Sequence, residues 1–146
     1  MHHPHSTPLP APSRTALITG GVSGIGAATS RLLKAKGYSV VANYFGNDDD
    51  AKAFTDETGI PVRSWNVADF DACQREVAAL TADLGPIDVL VNNAGVGLLN
   101  AVEGLTDRMI REVFETNTLG TIAMTRAVLP QMRERRAGTV VNVTST

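Results

Sequence analysis

The chain has 146 residues, of which 43% are hydrophobic and 19% are charged, and its formal net charge is −2. These values predict one globular domain with its own core. The nearly balanced charge disfavours a nucleic-acid-binding protein, and no apolar run reaches the ~18 residues of a membrane-spanning helix. The single cysteine excludes an internal disulfide, and all three histidines lie in the first five residues, so neither a Ser-His-Asp triad nor a histidine metal site is expected in the folded part.

Residues 1–13 are predicted to form a disordered tail. They contain four prolines, which disfavour regular helix and sheet: Pro4, Pro8, Pro10 and Pro12. The tail has no apolar segment of the signal-peptide type and only one arginine after it, so it matches no targeting peptide. A cytoplasmic protein is therefore expected.

From residue 14 onwards, the apolar residues alternate between strand and helix spacing. Such alternation predicts a parallel sheet with right-handed crossover helices. The expected fold is therefore one α/β domain over residues 14–146. The predicted strands cover 14–19, 38–43, 61–65, 87–91 and 138–144, and the predicted helices cover about 24–36, 48–58, 70–84 and 107–136.

A glycine-rich turn joins the first strand to the first helix, and its sequence is Thr19-Gly20-Gly21-Val22-Ser23-Gly24-Ile25-Gly26. A helix N-terminus offers unpaired amide groups and the positive end of the helix dipole. Glycines let the backbone approach a phosphate with no Cβ in the way. The turn is therefore predicted to bind the pyrophosphate of a dinucleotide, and an ordinary structural turn is the alternative.

Apolar stripes predict which helix faces are buried. The stripe of the first helix comprises Ile25, Ala28, Thr29, Leu32, Leu33 and Lys36. The stripe of the long helix comprises Ile110, Val113, Phe114, Thr121, Met124 and Val128, and Asn117 falls on it. Because a buried amide without partners costs roughly 1–3 kcal/mol, Asn117 is expected to be hydrogen-bonded, either in a functional role or as a satisfied core amide.

The end of the second strand bears on the choice of coenzyme. Enzymes that use NAD(H) usually place a carboxylate there, roughly 20 residues past the glycines, to bind the ribose hydroxyls. Asn43 and Tyr44 stand at this position, so no acid repels a 2′-phosphate and no basic residue attracts one. The acidic run 48–50 follows and is mildly repulsive. The sequence therefore favours NADP(H), with NAD(H) as the alternative. Asn43 and Tyr44 are also compatible with an ordinary strand end that has no role in binding.

The fourth predicted strand is followed directly by Asn92-Asn93-Ala94-Gly95. In open α/β sheets, ligands bind outside the carboxyl ends of the strands, near the switch in strand order. Side chains at this position can hydrogen-bond backbone groups across to the first strand, and the small residues leave room for a ring or a ribose. A plain turn is an equally good interpretation of this motif taken alone.

Together, these motifs resemble the short-chain dehydrogenase/reductase family in order and spacing, over residues 14–146. The motifs that carry the resemblance are Thr19-Gly20-x-x-x-Gly24-x-Gly26, Asn92-Asn93-Ala94-Gly95, Asn117 and Val141-Asn142-Val143-Thr144-Ser145. The resemblance implies a Rossmann-type doubly wound parallel sheet of five strands in the order 3-2-1-4-5, which ends after the fifth strand. It also implies transfer of a hydride between a nicotinamide coenzyme and a small carbonyl or alcohol substrate.

The resemblance also implies a role for each matching residue. Residues implied on the pyrophosphate and nicotinamide side are Gly20, Ser23, Gly24, Ile25 and Gly26. On the adenosine side, Asn66 and Val67 are implied to contact the adenine. The family more often has aspartate in place of Asn66. The ribose and adenine are also implied to lie against Asn92, Ala94 and Gly95. Asn117 matches the catalytic asparagine that holds a proton-relay water, and Ser145 matches the serine that hydrogen-bonds the substrate oxygen.

One family feature does not occur in these residues. The general acid of the family is a tyrosine in a Tyr-x-x-x-Lys pair about a dozen residues beyond the serine, whereas this chain stops at Thr146. Tyr38 and Tyr44 lie on the adenosine side. General acid catalysis needs a donor within hydrogen-bonding reach of the reacting oxygen, so the 146-residue chain alone is expected to have little or no activity.

The alternative function is a non-catalytic dinucleotide-binding module. Its fifth strand is then an exposed sheet edge, which favours pairing with a second chain, and a homo-oligomer is expected. Within the family, residues 40–95 resemble acetoacetyl-CoA reductases, which use NADPH, whereas residues 96–146 resemble short-chain oxidoreductases of other substrate classes. A 3-oxoacyl thioester such as acetoacetyl-CoA is therefore one candidate substrate, and other carbonyl compounds stay open.

Overall fold

The computed structural model describes residues 13–145, and within them strands and helices alternate as predicted. The five strands form one parallel sheet in the order β3-β2-β1-β4-β5, which confirms the predicted topology. The strands are β1 (Thr15–Ile18), β2 (Ser39–Tyr44), β3 (Val62–Ser64), β4 (Val89–Asn92) and β5 (Thr139–Asn142). The helices are α1 (Gly24–Ala35), α2 (Asp48–Thr58), α3 (Phe70–Leu84), α4 (Asp107–Phe114) and α5 (Gly120–Arg135), with a short 3-10 turn at Val102–Gly104 and a π-helical turn at Glu115–Leu119.

The predicted tail over residues 1–13 lies outside the described residues, except for Ser13. The Oγ atoms of Ser13 and Ser39 are 2.8 Å apart, so this last tail residue is hydrogen-bonded to the first residue of β2.

Each face of the sheet has its own hydrophobic core, because successive strand residues point to opposite faces. Leu17 and Leu90 face α3 and α5 in one core, whereas Ile18 and Ala42 face α1 and α2 in the other. Both faces are therefore covered, which explains the nearly continuous apolar runs in the central strands.

The buried face of α1 differs from the predicted stripe. Ile25 is 66% exposed and Leu32 is 57% exposed, whereas Gly26 and Ser30 are buried. The Ser30 Oγ donates to the Gly21 carbonyl at 2.9 Å, so the helix packs closely against the glycine-rich turn. Only small side chains fit that contact, and the larger apolar residues turn towards solvent. The predicted stripe is therefore wrong for Ile25, Ala28, Leu32 and Lys36, all of which are exposed.

The predicted long helix changes geometry in its middle. The amide of Gly120 donates to the carbonyl of Glu115, five residues earlier, in the π-helical turn between α4 and α5. The extra residue in such a turn rotates the faces before and after it by about 100° relative to each other. Met124 and Val128 are buried as predicted and Val113 is half-buried, but Ile110, Phe114 and Asn117 are exposed, so their predicted burial is wrong.

Cys73 is fully buried on α3, and its Sγ donates to the Val67 carbonyl at 3.4 Å. Burial raises the pKa of the Cys73 thiol to about 11. This pKa lies above the value of about 8.5 that a thiol has in the unfolded chain. The buried neutral thiol therefore stabilises the fold fully below about pH 8.5, and its contribution is lost as the pH rises towards 11. We expect the free energy of unfolding, measured by urea titration, to fall more steeply over this range for the wild type than for Cys73→Ala. Parallel pH curves would contradict this prediction.

Candidate functional site

A cavity of about 510 Å³ opens at the carboxyl ends of β2 and β3, beside the glycine-rich turn and the loop after β4. β1 and β4 are neighbours in the sheet, and the strand order reverses between them, so the cavity lies at the position where open α/β sheets bind ligands. The lining residues are Gly20, Val22, Ser23, Asn43, Tyr44, Phe45, Trp65, Asn66, Val67, Ala94, Gly95, Val96, Gly97, Leu98, Met109, Glu112, Val113 and Thr116.

The glycine-rich turn leaves no space for side chains where it meets α1. A Cβ on Gly26 would lie 2.0 Å from the Gly20 carbonyl oxygen and 2.5 Å from the Asn93 Nδ2. Gly20 and Gly24 have φ angles of +60° and +52°, a region that side chains disfavour. These glycines are therefore required by close backbone approach and by backbone conformation.

The N-terminus of α1 is uncapped in the described structure. Its N-cap residue, Ser23, makes no side-chain bond to the first-turn amides, and that turn contains no acidic residue. By contrast, the N-cap side chains of α2, α3 and α4 each accept from a first-turn amide; these residues are Asn47, Asp69 and Thr106. Since first-turn amides have no partner within the helix, those of α1 can bind an anion.

Thr19 and Asn93 fix the loop after β4 to the glycine-rich turn. The Thr19 Oγ1 accepts from the amides of Asn93 and Ala94 at 3.0 and 2.9 Å. In return, the Asn93 Nδ2 donates to the carbonyls of Thr19 and Gly20 at 3.2 and 3.1 Å. The predicted bonding across to the first strand is therefore confirmed, although the sequence did not identify Thr19 as the central group.

Asn43 and Tyr44 use their side chains differently. Asn43 is 1% exposed, and its Oδ1 accepts from the Gly20 amide at 3.3 Å while its Nδ2 donates to the Trp65 carbonyl at 3.0 Å. The Tyr44 hydroxyl donates to the Asp48 Oδ1 at 2.8 Å, and this hydrogen bond raises the pKa of Tyr44. The Asn43 side chain therefore joins the glycine-rich turn to Trp65, and the Tyr44 hydroxyl joins the cavity wall to Asp48.

The structure brings eight of the predicted site residues to the cavity, and sequence reasoning missed most of its apolar wall. The predicted residues that line it are Gly20, Ser23, Asn43, Tyr44, Asn66, Val67, Ala94 and Gly95. The missed wall residues include Val22, Phe45, Trp65, Leu98, Met109 and Val113. The available signal was an aromatic residue directly after β2 and another directly after β3, together with an apolar face on α4.

The other predicted site residues lie outside the cavity lining: Gly24, Ile25, Gly26, Asn92, Asn117 and Ser145. The Asn92 Nδ2 donates to the Thr125 Oγ1 and the Asn142 Oδ1, both at 3.0 Å, so its side chain points towards α5 and β5. Ser145 is exposed beyond the end of β5.

Asn117 makes two hydrogen bonds to one residue. Its Oδ1 accepts from the Val96 amide at 2.8 Å, and its Nδ2 donates to the Val96 carbonyl at 3.0 Å. The predicted hydrogen bonding of Asn117 is confirmed, whereas its predicted burial is wrong. The π-helical turn is thereby tied to the loop that lines the cavity, and π-helical turns frequently occur at functional sites.

Asn117→Ala is expected to loosen the loop around Val96. Both hydrogen bonds are lost in an exposed setting, so we expect the free energy of unfolding to fall by about 1–2 kcal/mol and hydrogen exchange at the Val96 amide to accelerate. Thr118→Ala, on the same turn, is the control and should change neither quantity. Unchanged exchange at Val96 in Asn117→Ala would count against this role.

Among residues 13–145, no helix is both long and apolar enough to cross a membrane. The same part of the chain contains no group of three or more His, Cys, Asp or Glu side chains placed to hold a metal ion.

A parallel sheet whose strand order reverses beside a glycine-rich turn defines a doubly wound α/β protein of the nucleotide-binding type. The family model for short chain dehydrogenase matches residues 14–146, and the chain belongs to this family of oxidoreductases, which bind a nicotinamide coenzyme.

Similar proteins agree with this assignment. The chain is 49% identical over 133 residues to an acetoacetyl-CoA reductase of Paracoccus denitrificans, covering 91% of this chain and 55% of that protein. It is 34% identical over 138 residues to a 3-oxoacyl-[acyl-carrier-protein] reductase of Staphylococcus epidermidis, covering 91% and 57%. A short-chain dehydrogenase structure from Streptomyces avermitilis superposes with a TM-score of 0.84 at 35% identity, covering 91% and 49%. The chain thus spans about half the length of these relatives.

Proposed function

We propose that the cavity binds a nicotinamide dinucleotide and that these residues form the coenzyme-binding part of an oxidoreductase acting on a carbonyl or alcohol substrate. The observation that carries the proposal is the start of α1, whose first-turn amides have no side-chain cap and whose glycines leave the backbone accessible. A Cβ on Gly26 would lie 2.0 Å from the Gly20 oxygen. A pyrophosphate fits such a cradle, because it is anionic and needs close backbone approach.

The chain's own groups orient the rest of the coenzyme in this proposal. The adenosine ribose lies at the end of β2, beside Tyr44, as in other doubly wound folds. The cavity continues from there past Trp65 towards α4, and its wall is largely apolar, which suits a base. The nicotinamide, when bound, would supply or accept the hydride, and Ala94 and Gly95 would leave the adenosine ribose free of large side chains.

NADP(H) is proposed as the preferred coenzyme, and NAD(H) is the alternative. Support comes from the end of β2, where Asn43 and Tyr44 provide no carboxylate to repel a 2′-phosphate. Asp48 opposes this preference, since it accepts the Tyr44 hydrogen bond beside the cavity. The balance between these groups is open to a direct binding test.

Asp48→Asn is expected to raise the affinity for NADP⁺ about fivefold, because one negative charge near the 2′-phosphate is removed. Calorimetric titration should show less than a twofold change for NAD⁺. Asp49→Asn removes a charge from the same helical turn without touching a cavity residue and is the matched control. Equal gains for NADP⁺ and NAD⁺ would argue against a local effect of Asp48.

A 3-oxoacyl thioester such as acetoacetyl-CoA is the proposed substrate class. Support comes from the similarity of the chain to an acetoacetyl-CoA reductase and a 3-oxoacyl-[acyl-carrier-protein] reductase. Asn117 and Ser145 are the proposed catalytic residues. Tyr38 and Tyr44 are followed four residues later by Ala42 and Asp48, so no Tyr-x-x-x-Lys pair occurs in these 146 residues. Little or no turnover is therefore proposed for the chain by itself.

Trp65 provides the test of coenzyme binding. It is the only tryptophan of the chain, is 5% exposed and lines the cavity. Bound reduced nicotinamide accepts excitation energy from a nearby tryptophan, so NADPH titration should quench Trp65 fluorescence saturably. A linear, non-saturating signal, together with no heat of binding, would refute the proposed function.

The second candidate function is a dinucleotide-binding module without catalysis. β5 is the edge strand of the described sheet and is largely exposed, and Ile122 and Leu129 on α5 are exposed as well. These features support a proposed homo-oligomer. Turnover of acetoacetyl-CoA with NADPH near that of an intact reductase would exclude this second candidate, and light scattering would give the oligomeric state.

A further inference from the structure

Thr125 lies in the first half of α5, and its hydroxyl group has two hydrogen-bond partners. Its Oγ1 donates to the Thr121 carbonyl at 2.7 Å and accepts from the Asn92 Nδ2 at 3.0 Å. Because a carbonyl oxygen can only accept, the Thr125 proton is committed to Thr121, and the Asn92 amide must present its nitrogen to Thr125. The bond to one carbonyl therefore fixes the orientation of both side chains.

The Asn92 side chain extends these hydrogen bonds to β5. Its Nδ2 also donates to the Asn142 Oδ1 at 3.0 Å, and the Asn92 carbonyl accepts from the Val143 amide at 3.0 Å. Asn92 and Asn142 are register partners at the carboxyl ends of β4 and β5. Ser145 follows Val143 by two residues. Ser145 therefore extends from a strand end that Asn92 holds to β4.

In the other direction, the hydrogen bonds reach the π-helical turn. The Thr121 Oγ1 donates to the Asn117 carbonyl at 3.0 Å, one helical turn before the bond that Thr125 makes to Thr121. Successive hydrogen bonds thus join the turn to the end of β5. The residues they join, which we term the Thr125 network, are Asn117, Thr121, Thr125, Asn92 and Asn142.

The Thr125 network carries a cost to stability. Asn92 is 5% exposed, and its Oδ1 is buried with no hydrogen-bond partner among residues 13–145. A buried acceptor without a partner costs free energy, and a partly satisfied polar network is less stable than a packed apolar contact. The network therefore contributes the relative placement of α5 and β5 rather than net stability.

We propose that Thr125 is a positioning residue, whose hydroxyl group fixes the π-helical turn of Asn117 relative to the strand end that leads to Ser145. This inference rests on the proposed function, in which Asn117 and Ser145 are the catalytic residues. Groups that act together must keep their geometry to within about 0.5 Å, and hydrogen bonds from the residues behind them provide that precision. Thr125 lies outside the cavity lining, so it acts only through these residues.

Hydrogen exchange separates a positioning role from a purely stabilising one. The amides of Val96 and Val143 bond to the two ends of the network, at Asn117 and Asn92. Both residues are exposed, so these amides exchange through local opening. The Ala42 amide is buried in β2 and exchanges through unfolding. A purely stabilising residue changes the rate at Ala42, whereas a positioning residue changes the rates at Val96 and Val143.

Thr125→Val keeps the shape of the side chain and removes both hydroxyl bonds. We expect exchange about fivefold faster at Val96 and Val143, the equivalent of one lost hydrogen bond. Thr125→Ser keeps the hydroxyl group and should restore both rates to within about twofold of the wild type. Thr29→Val removes a hydroxyl bond of the same type from α1, so it is the matched control and should leave both rates unchanged.

Unchanged exchange at either Val96 or Val143 overturns the proposal, even where Ala42 exchanges faster, because Thr125 then only stabilises the fold. If Thr125→Val does not fold, as judged by circular dichroism, Thr121→Val decides, since it breaks only the hydroxyl bond to the Asn117 carbonyl. Faster exchange at Val96 in that variant supports the proposal, and an unchanged rate overturns it.

Failure of this proposal is distinguishable from failure of the proposed function. Coenzyme binding is measured on the wild type by Trp65 fluorescence, whereas the placement of Asn117 is measured by exchange without coenzyme. Saturable NADPH binding with unchanged exchange in Thr125→Val overturns the positioning role alone. Absence of NADPH binding overturns the proposed function and, with it, the catalytic purpose of the network.

Discussion

Gly26→Ala is expected to weaken dinucleotide binding about 100-fold while leaving the chain only partly destabilised. The new Cβ would lie 2.0 Å from the Gly20 oxygen and 2.5 Å from the Asn93 Nδ2, so the glycine-rich turn and α1 must move apart. Overpacking of this kind costs about 3 kcal/mol, and a penalty of that size on the bound geometry raises Kd about 100-fold. NADPH titration followed by Trp65 fluorescence measures the loss, and urea unfolding measures the destabilisation.

Gly37→Ala is the matched control for this substitution. Gly37 follows the other end of α1, has open space where a Cβ would stand, and has a φ of +93°. Alanine there is strained by about 1–2 kcal/mol, yet the cavity is untouched, so coenzyme affinity should stay within twofold of the wild type. If Gly37→Ala weakened binding as much as Gly26→Ala, the loss would reflect general destabilisation rather than the close approach at the turn.

Local patterns were sufficient for the parts of the fold that depend on neighbours in sequence. The alternation of strands and helices, the glycine-rich turn and the polar residues after β2 and β4 all appear where the sequence predicts them. Gly37 and Gly59 follow the ends of α1 and α2, and they have the positive φ angles that such positions need. These features follow from short-range sterics and hydrophobic periodicity, so one sequence was enough to find them.

Features set by contacts between distant segments could not be predicted in the same way. The buried face of α1 is decided by the approach of the glycine-rich turn to Gly26 and Ser30, which no periodicity encodes. Asn117 is exposed because a π-helical turn rotates the long helix, and its partner Val96 lies 21 residues earlier. The same limit applies to the cavity wall, because Trp65 and Met109 line one cavity only after the chain has folded.

Thr19→Val is expected to destabilise the chain strongly and to loosen the loop beside the cavity. Thr19 is 2% exposed, and its hydroxyl is the shared acceptor for the amides of Asn93 and Ala94. Valine matches threonine in shape but leaves both amides without that acceptor. At roughly 1–3 kcal/mol for each unsatisfied group, and with both sites only partly buried, we expect a loss of about 3 kcal/mol in the free energy of unfolding, measured by urea titration.

Thr19→Ser distinguishes the hydroxyl from the methyl group of this residue. Serine keeps the acceptor and removes one buried carbon, so its cost should be about 1 kcal/mol. Hydrogen exchange at the Asn93 and Ala94 amides should accelerate in Thr19→Val and stay near the wild-type rate in Thr19→Ser. Since these amides lie in the loop that borders the cavity, coenzyme affinity should follow the same order. Equal destabilisation by valine and serine would mean that packing of the methyl group, rather than the shared hydrogen bond, joins β1 to the loop after β4.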